Sequence, residues 1–384
     1  MSGSDVTREG LRGTRPDRDA VTGARDPAKN GSRGERGWAR KRRGEQPMVP
    51  PAEFSSYYGK PILNPPVWEA PDIPGYLFLG GLAGGSSLLA AGADLTGRPV
   101  LAKVVKTGAV GAGALSLAAL VHDLGRPARF LNMLRVFKVT SPMNVGSWLL
   151  AAYVPAAGVA SLTALTGRLP RIGAAATAGA AVLGPAVASY TAALISDTAV
   201  PSWHDGYPEM PFVFTGSGAM AAGGLGLLGA GLLDASPAET PPARNLAVLG
   251  AAMESAALER MERRIGLTAE PYSQGRGGKY VKAGKILAAA GTAGAVLSTP
   301  GLLVGRLIPG RAGRVIAAAS GATLLAASAA TRWGIFHAGL ASAKDPKYTV
   351  VPQRQRLNER EAPRLTSPNQ PTPTDLPAAQ VPPA

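Results

Sequence analysis

Between residues 75 and 333 the chain is a succession of long apolar runs, and that succession leaves it few folds to choose from. A helix needs about 20 apolar residues to cross the hydrocarbon of a bilayer. In lipid every backbone polar group must be satisfied internally, so a chain of such runs spans as helices. Runs at 75–94, 100–121, 143–165, 172–197, 211–233, 243–260, 283–304 and 314–333 predict about eight transmembrane helices. The first, third, fourth and fifth are the strongest. The second opens on Lys103 and Lys106, whose ammonium groups are expected to snorkel to the interface. The sixth is the weakest, because it holds Glu254 and Glu259. The seventh has Lys285 near its start and Pro300 near its end.

Composition agrees. Only 17% of residues are charged, against about 25% in a typical soluble domain. Much of that charge lies in the N-terminal tail, where residues 1–47 hold twelve Lys/Arg and seven Asp/Glu. Cysteine is absent, which excludes disulfides, zinc–thiolate sites and iron–sulfur clusters within this chain. Three histidines, His122, His204 and His337, offer no facing pair to ligate a haem. The net charge of +15 sits in tails and short loops beside apolar runs, so lipid headgroups are the expected basic-residue partner. No folded basic domain or aromatic stacking platform points to nucleic acid.

The tails read differently from the middle. Residues 1–47 are too polar to bury a core, and the cluster Arg40, Lys41, Arg42 and Arg43 is not followed by the apolar region of a cleaved signal peptide. Residues 48–74 are Pro-rich and expected to be extended. The sequence therefore divides into a disordered basic and Pro-rich tail (1–74), a membrane domain (75–340) and a disordered polar tail (341–384).

Gly80 and Gly84, and Gly81 and Gly85, form small-xxx-small pairs in the first run. They suit close helix packing; an Ala/Gly-biased composition would produce them equally well. The ionisable residues are more selective. With eight spans, the starts of odd runs and the ends of even runs share one membrane face. Tyr76, His122, Asp123, Tyr190, Asp197, Trp203, His204, Asp205, Glu254 and Glu259 all fall towards it. Ionisable groups within spans mark a pathway or a site by default. Each also has a plainer reading: Tyr76 as an interfacial anchor, His122 and Asp123 as a helix terminus, Asp197 and Glu259 as headgroup-level charges. Tyr190 and Glu254 lie deeper and resist it. Lys and Arg in the loops balance between the two faces, and only the basic N-terminal tail tips the orientation towards a cytoplasmic N-terminus.

The stretch HDLGRPARFLNMLRVFKVTSPMNVGSWLL, from His122 to Leu150, is specific. It resembles the NrfD/PsrC family, the membrane subunits of polysulfide-reductase-type molybdoenzyme complexes. YLFLGGLAGGSSLLA at 76–90 is similar to the family's first span, and SYTAALISDTAVPSWHD at 189–205 to its fourth span and following loop. The resemblance covers roughly residues 65–340. It implies an all-α polytopic protein with its helices in two four-helix bundles, set in the cell (inner or plasma) membrane. It also implies a menaquinone or ubiquinone bound near one face, with no haem and no iron–sulfur cluster in this chain. An iron–sulfur subunit would exchange electrons with the quinone. A molybdopterin-type subunit, of the formate dehydrogenase or polysulfide reductase kind, would do the substrate chemistry.

Carried onto this chain, the resemblance makes Tyr190 the first candidate for the quinone site, in a YTAA sequence where the family has a YTG-like one. Tyr76 stands where some members have His. His122 and Asp123 join them, Glu254 and Asp197 are candidates for a proton path, and Arg126, Arg129 and Arg135 for partner docking or lipid contact. Two other readings compete: a small-molecule transporter, for which no internal repeat is apparent, and a membrane anchor without quinone chemistry.

Overall fold

The computed structural model describes residues 6–7, 10–11, 62–64, 66–124, 128–299 and 310–365. Eight long helices account for most of it: α1 (Asp72–Leu95), α2 (Pro99–Asp123), α3 (Pro142–Thr166), α4 (Pro170–Ser196), α5 (Met210–Leu232), α6 (Pro241–Arg264), α7 (Gly275–Leu297) and α8 (Gly310–Lys344). Six of them are long and apolar enough to cross a membrane: α1 to α5 and α8. The protein is an all-α, multi-pass membrane protein. Helices α6 and α7 fall short of that apolarity, as Glu254, Glu259 and Lys285 foretell.

Proline and glycine set the boundaries. Prolines begin α2, α3, α4, α5 and α6 within the first two positions, where a missing N–H costs nothing. Gly97 and Gly167 follow α1 and α3 with φ of +67°, the left-handed conformation that closes a helix at little cost to glycine. Pro155 and Pro185 lie inside α3 and α4, which continue through them. Pro300 lies outside the described residues.

Residues Leu63–Lys344 form one compact unit. Within it α1 packs on α2 and α4, and α3 lies between α2 and α4, closing a first four-helix bundle. Likewise α5 packs on α6 and α8, and α7 on α8 and α6, closing a second. The bundles meet where α1 lies along α5. These two are the most enclosed of the apolar helices, 72% and 67% buried along their apolar windows. The glycine pairs of α1 are what bring them close. A Cβ on Gly84 would strike the backbone of Gly184 in α4, and a Cβ on Gly85 would lie 2.6 Å from the Gly218 carbonyl oxygen in α5. Close packing is thus the work these glycines do, on two faces of one helix.

Two expectations need correction. Lys103 is exposed, as a snorkelling residue should be, but Lys106 is buried and pairs with Asp94 at 2.6 Å. Its carboxylate partner is what makes burial tolerable. The segment expected to be a disordered C-terminal tail begins as the last turn of α8 and continues as a further helix, α9 (Lys347–Leu365). Its run of Gln, Arg, Leu, Asn and Glu holds enough good helix formers to outweigh its polarity. Outside the compact unit, Val6–Thr7 and Gly10–Leu11 pair as a two-residue antiparallel hairpin.

Candidate functional site

The 189–205 stretch builds one wall of the site. Helix α4 ends at Ser196, and the chain turns through Pro201–His204 before α5 begins. Trp203 fastens this turn. Its indole is fully buried, donates to the Ile335 carbonyl at 2.8 Å, and stacks on Trp68 with centroids 5.6 Å apart. Ser202 and Tyr272 add hydrogen bonds that tie the turn to the segment preceding α7. The loop is therefore a rigid plate joining the two bundles rather than a loose connection.

Beside it opens a cleft of about 470 Å³, within the range of small-molecule sites. Pro142, Ala193 and Ser196 form its first-bundle side; Asp197, His204, Asp205, Tyr207, Pro208 and Arg264 line the rest. At its edge Arg264 grips Glu209 with both guanidinium nitrogens that reach it, at 2.7 to 3.0 Å, and Arg260 approaches to 3.4 Å. The hydrogen bonds from Arg264 hold the buried Glu209 carboxyl below the usual carboxylate range, against the opposing effect of burial.

Tyr190 sits about one turn inward from Ala193. Its ring lies so close to Gly146 in α3 that any Cβ there would collide with it. Gly146 is the glycine of the GSW sequence, so one motif makes room for the aromatic ring of the other. The Tyr190 hydroxyl is buried and has no hydrogen-bond partner, and neither has the buried Ser196 hydroxyl on the cleft wall. An orphaned buried hydroxyl is costly; of these two, Ser196 lines the cleft and Tyr190 does not, standing one helical turn from Ala193 of its wall.

Of the other expected site residues, Asp197 lines this cleft and the rest of those described lie apart from it. Tyr76 is fully buried in α1, and its carbonyl accepts from Ser116 of α2 at 3.1 Å. His122 is largely exposed, with Nδ1 2.7 Å from Asp72 at the start of α1. Asp123, beside it, accepts a backbone hydrogen bond from Glu69. None of these three lines the cleft, although all lie at the same end of the first bundle. Asp197 lines the cleft mouth and is exposed. Arg129 and Arg135 are exposed in the α2–α3 connection, among the apolar Leu131, Val136 and Phe137. Arg126 lies outside the described residues.

Glu254 belongs to a different place. It lies ten residues from the end of α6, about 15 Å at 1.5 Å per residue. It is buried beside Ser217, Thr331 and Arg332. Arg332 was not visible as a site from the sequence, where it falls at the margin of an apolar run. The structure buries it completely, with its guanidinium 3.6 Å over the Phe214 ring and Nη2 donating to the Phe214 carbonyl at 2.7 Å. Glu254 Oε2 and Arg332 Nε and Nη1 find no hydrogen-bond partner. The signal that would have exposed Arg332 is the ten small or apolar residues that follow it, which carry the helix on to Lys344.

The fold is that of a polytopic α-helical membrane protein with a polar cleft at one end of its bundles. A family model described as polysulphide reductase, NrfD, matches residues 62–258, just over half of the 384 residues. The chain belongs to the NrfD family, and with it to the membrane subunits of oxidoreductase complexes of the polysulfide reductase type. No curated protein matches the chain. The matched segment takes in the whole first bundle, the cleft loop, α5 and most of α6.

Proposed function

We propose that this chain is the quinone-binding subunit of a membrane oxidoreductase complex in the cell membrane. It would exchange electrons, through a menaquinone or ubiquinone, with an iron–sulfur subunit; a molybdopterin-type subunit would carry out the substrate chemistry. The observation that carries this reading is the buried, unpartnered Tyr190 hydroxyl, on a residue one helical turn from Ala193 of the cleft wall. The residues present suit a quinone headgroup: a phenol with a free valence, an orphaned Ser196 hydroxyl, and an apolar wall of Pro142 and Ala193.

A bound quinone supplies a carrier of two electrons and two protons. The chain's own residues orient it and handle the protons. Tyr190 presents its hydroxyl as the hydrogen-bond donor to a carbonyl oxygen. Asp197, exposed at the mouth, is placed to exchange protons with water. Glu254, in the second bundle, is the candidate for a deeper proton path. Tyr76, His122 and Asp123 would act from the neighbouring end of α1 and α2, with His122 already hydrogen-bonded to Asp72. Arg129 and Arg135, exposed beside apolar side chains, would meet the iron–sulfur partner, as would Arg126.

The test is to purify the chain from its native membrane with whatever remains bound, extract quinone, and identify co-purifying proteins. Quinone together with an iron–sulfur protein is the expected result. Tyr190→Phe should then lower quinone turnover by about ten-fold or more, since one positioned proton donor contributes about 10²–10⁴-fold in favourable cases. A preparation free of both quinone and redox partner would overturn the reading in favour of transport or simple anchoring.

A further inference from the structure

The second bundle is hollow at the membrane face opposite the cleft. There α5 ends at Leu232, α6 begins at Pro241, α7 ends at Leu297 and α8 runs inward from Gly310. Among these ends lies a cavity of about 140 Å³, room for roughly five waters at about 30 Å³ each. Its lining is mixed. Ala230, Ala235 and Ala317 are apolar, whereas Thr240, Arg244, Ser298 and Arg314 bring polar side chains. Arg244 precedes Arg264 of the cleft by 20 residues of α6, about 30 Å by helical rise, so the cavity and the cleft stand at opposite faces.

Arg244 is only 7% exposed, and a cation taken out of water needs a counter-charge. Lys106 has Asp94 and Arg264 has Glu209. No carboxylate pairs with Arg244 among the described residues. Two of its N–H groups are taken: Nε donates to the Ala295 carbonyl at 2.8 Å and Nη2 to Thr240 Oγ1 at 3.2 Å. A guanidinium carries five, so those on Nη1 and one on Nη2 remain. The hydroxyls of the lining have no proton to spare. Thr240 donates to the Pro237 carbonyl at 3.0 Å, and Ser298 to the Ala295 carbonyl at 2.8 Å. Arg314 pairs through Nη1 with the exposed Asp234 and keeps its other N–H groups. The cavity therefore offers donors from two guanidinium groups and one uncompensated positive charge.

We propose that this cavity binds the phosphate of an anionic phospholipid, with Arg244 as its ion-pair partner and Arg314 as a second donor. An oxyanion of single charge neutralises Arg244, and its oxygens accept the N–H groups that both guanidinium groups have left, in charge-assisted hydrogen bonds. Basic pockets between transmembrane helices hold lipid headgroups in this way. What borders the cavity selects a lipid over a free phosphate. Leu232 and Val315, next in sequence to the lining residues Gly231 and Arg314, are 74% and 63% exposed and give acyl chains an apolar surface beside the mouth. The charge selects the headgroup. Phosphatidylglycerol brings one negative charge to one unpaired arginine, whereas the choline of phosphatidylcholine would bring a further cation to a pocket that already holds two. Nothing in this site depends on the quinone reading.

The full-length chain, stripped of lipid by detergent exchange, is titrated with dioleoylphosphatidylglycerol in mixed micelles, and the fraction carrying one lipid is read by native mass spectrometry. Half-saturation should come at a concentration several-fold lower than with dioleoylphosphatidylcholine. Arg244→Met should raise the phosphatidylglycerol half-saturation about ten-fold or more, since a lost hydrogen bond to a charged group is worth about that factor. Arg171→Met, at an exposed arginine that opens α4 on the same face, should leave it unchanged. If Arg244→Met is not recovered folded, Arg314→Met, at a side chain 33% exposed, should raise it about three-fold. Equal binding of the two lipids, or equal effects of Arg171→Met and the cavity variant, would overturn the site. Inorganic phosphate alone is the second probe. At the same concentration it should raise the melting temperature less than phosphatidylglycerol does. An equal rise, abolished by the same cavity variant, would overturn the lipid as occupant in favour of a free oxyanion.

Discussion

The two bundles handle charge in opposite ways. In the first, Lys106 is buried but its partner Asp94 reaches towards solvent at the helix end, and His122 and Asp72 pair at the other end. Among the described residues its middle holds neutral polar groups, Ser87, Tyr153, Ser116 and Thr191 among them. In the second, Glu254 and Arg332 lie deep within the bundle, enclosed by Ser217, Thr331 and Phe214. The first bundle satisfies the bilayer by being apolar outside and mild inside. The second includes two helices, α6 and α7, that are less apolar than the six candidate spans. Hydropathy therefore describes the first bundle well and understates the second, because it counts the buried Glu254 of α6 as though it faced lipid.

The largest expected effect tests what joins the bundles. Gly85→Leu should abolish recovery of monodisperse protein, since a side chain there would enter the Gly218 backbone of α5, and overpacking alone costs about 1–3 kcal/mol where the neighbour can move. Gly92→Leu, at a glycine with open space around it, should leave recovery unchanged. Equal behaviour of the two variants in size-exclusion chromatography would remove α1 as the shared wall.

Next comes the charge contrast itself. Arg332→Met strands the buried Phe214 carbonyl and removes the cation stacked on the Phe214 ring, and should lower stability in detergent by about 2 kcal/mol. Adding Glu254→Leu, which removes a buried carboxyl with an unpartnered oxygen, should recover part of that loss. Lys106→Met in the first bundle should cost only about 1 kcal/mol, as Asp94 can hydrate. Denaturant unfolding followed by intrinsic fluorescence reads all three, and similar losses for Arg332→Met and Lys106→Met would erase the distinction.

A smaller effect concerns pH. Glu209 has its folded-state pKa lowered by Arg264. Its contribution is complete above the unfolded carboxylate value of about 4.3 and is lost as pH falls through the lower folded value. Melting temperature should therefore drop on acidification below about pH 4, and Glu209→Gln should flatten that limb of the profile. The smallest effect is Tyr190→Phe on stability. Removing a hydroxyl that has no partner should change it by less than about 0.5 kcal/mol, so any loss of turnover in that variant reflects chemistry rather than folding.

Much of this architecture is legible in the residues. The apolar runs of α1 to α5 stand out because lipid demands them, and the SPM–GSW and SYTAAL–PSWHD sequences carry the family pattern that implies paired four-helix bundles. Tyr190 is recognisable as the deepest ionisable group of its run. What the runs hide is register between helices. That Gly146 makes room for Tyr190, and Gly84 for Gly184, depends on which faces meet, which no single helix encodes. Arg332 escapes for a related reason: a scan for apolar residues stops at a charge, whereas the helix stops only at Lys344. The same limit applies to α7, which starts at Gly275 although its first turns are rich in Arg and Lys. The helix α9 escapes because helix propensity, not hydropathy, is what forms it.

The glycines of α1 also set an order of events during synthesis. Gly84 meets α4 and Gly85 meets α5, so α1 waits for partners that emerge about 100 and 135 residues later. Until α5 arrives, one glycine face of α1 borders lipid with no side chains to fill the gap. A chain halted after α4 would keep that face bare. The first bundle is thus not a finished module to which the second is added, and premature termination near residue 200 should yield a product that the cell's membrane quality control removes.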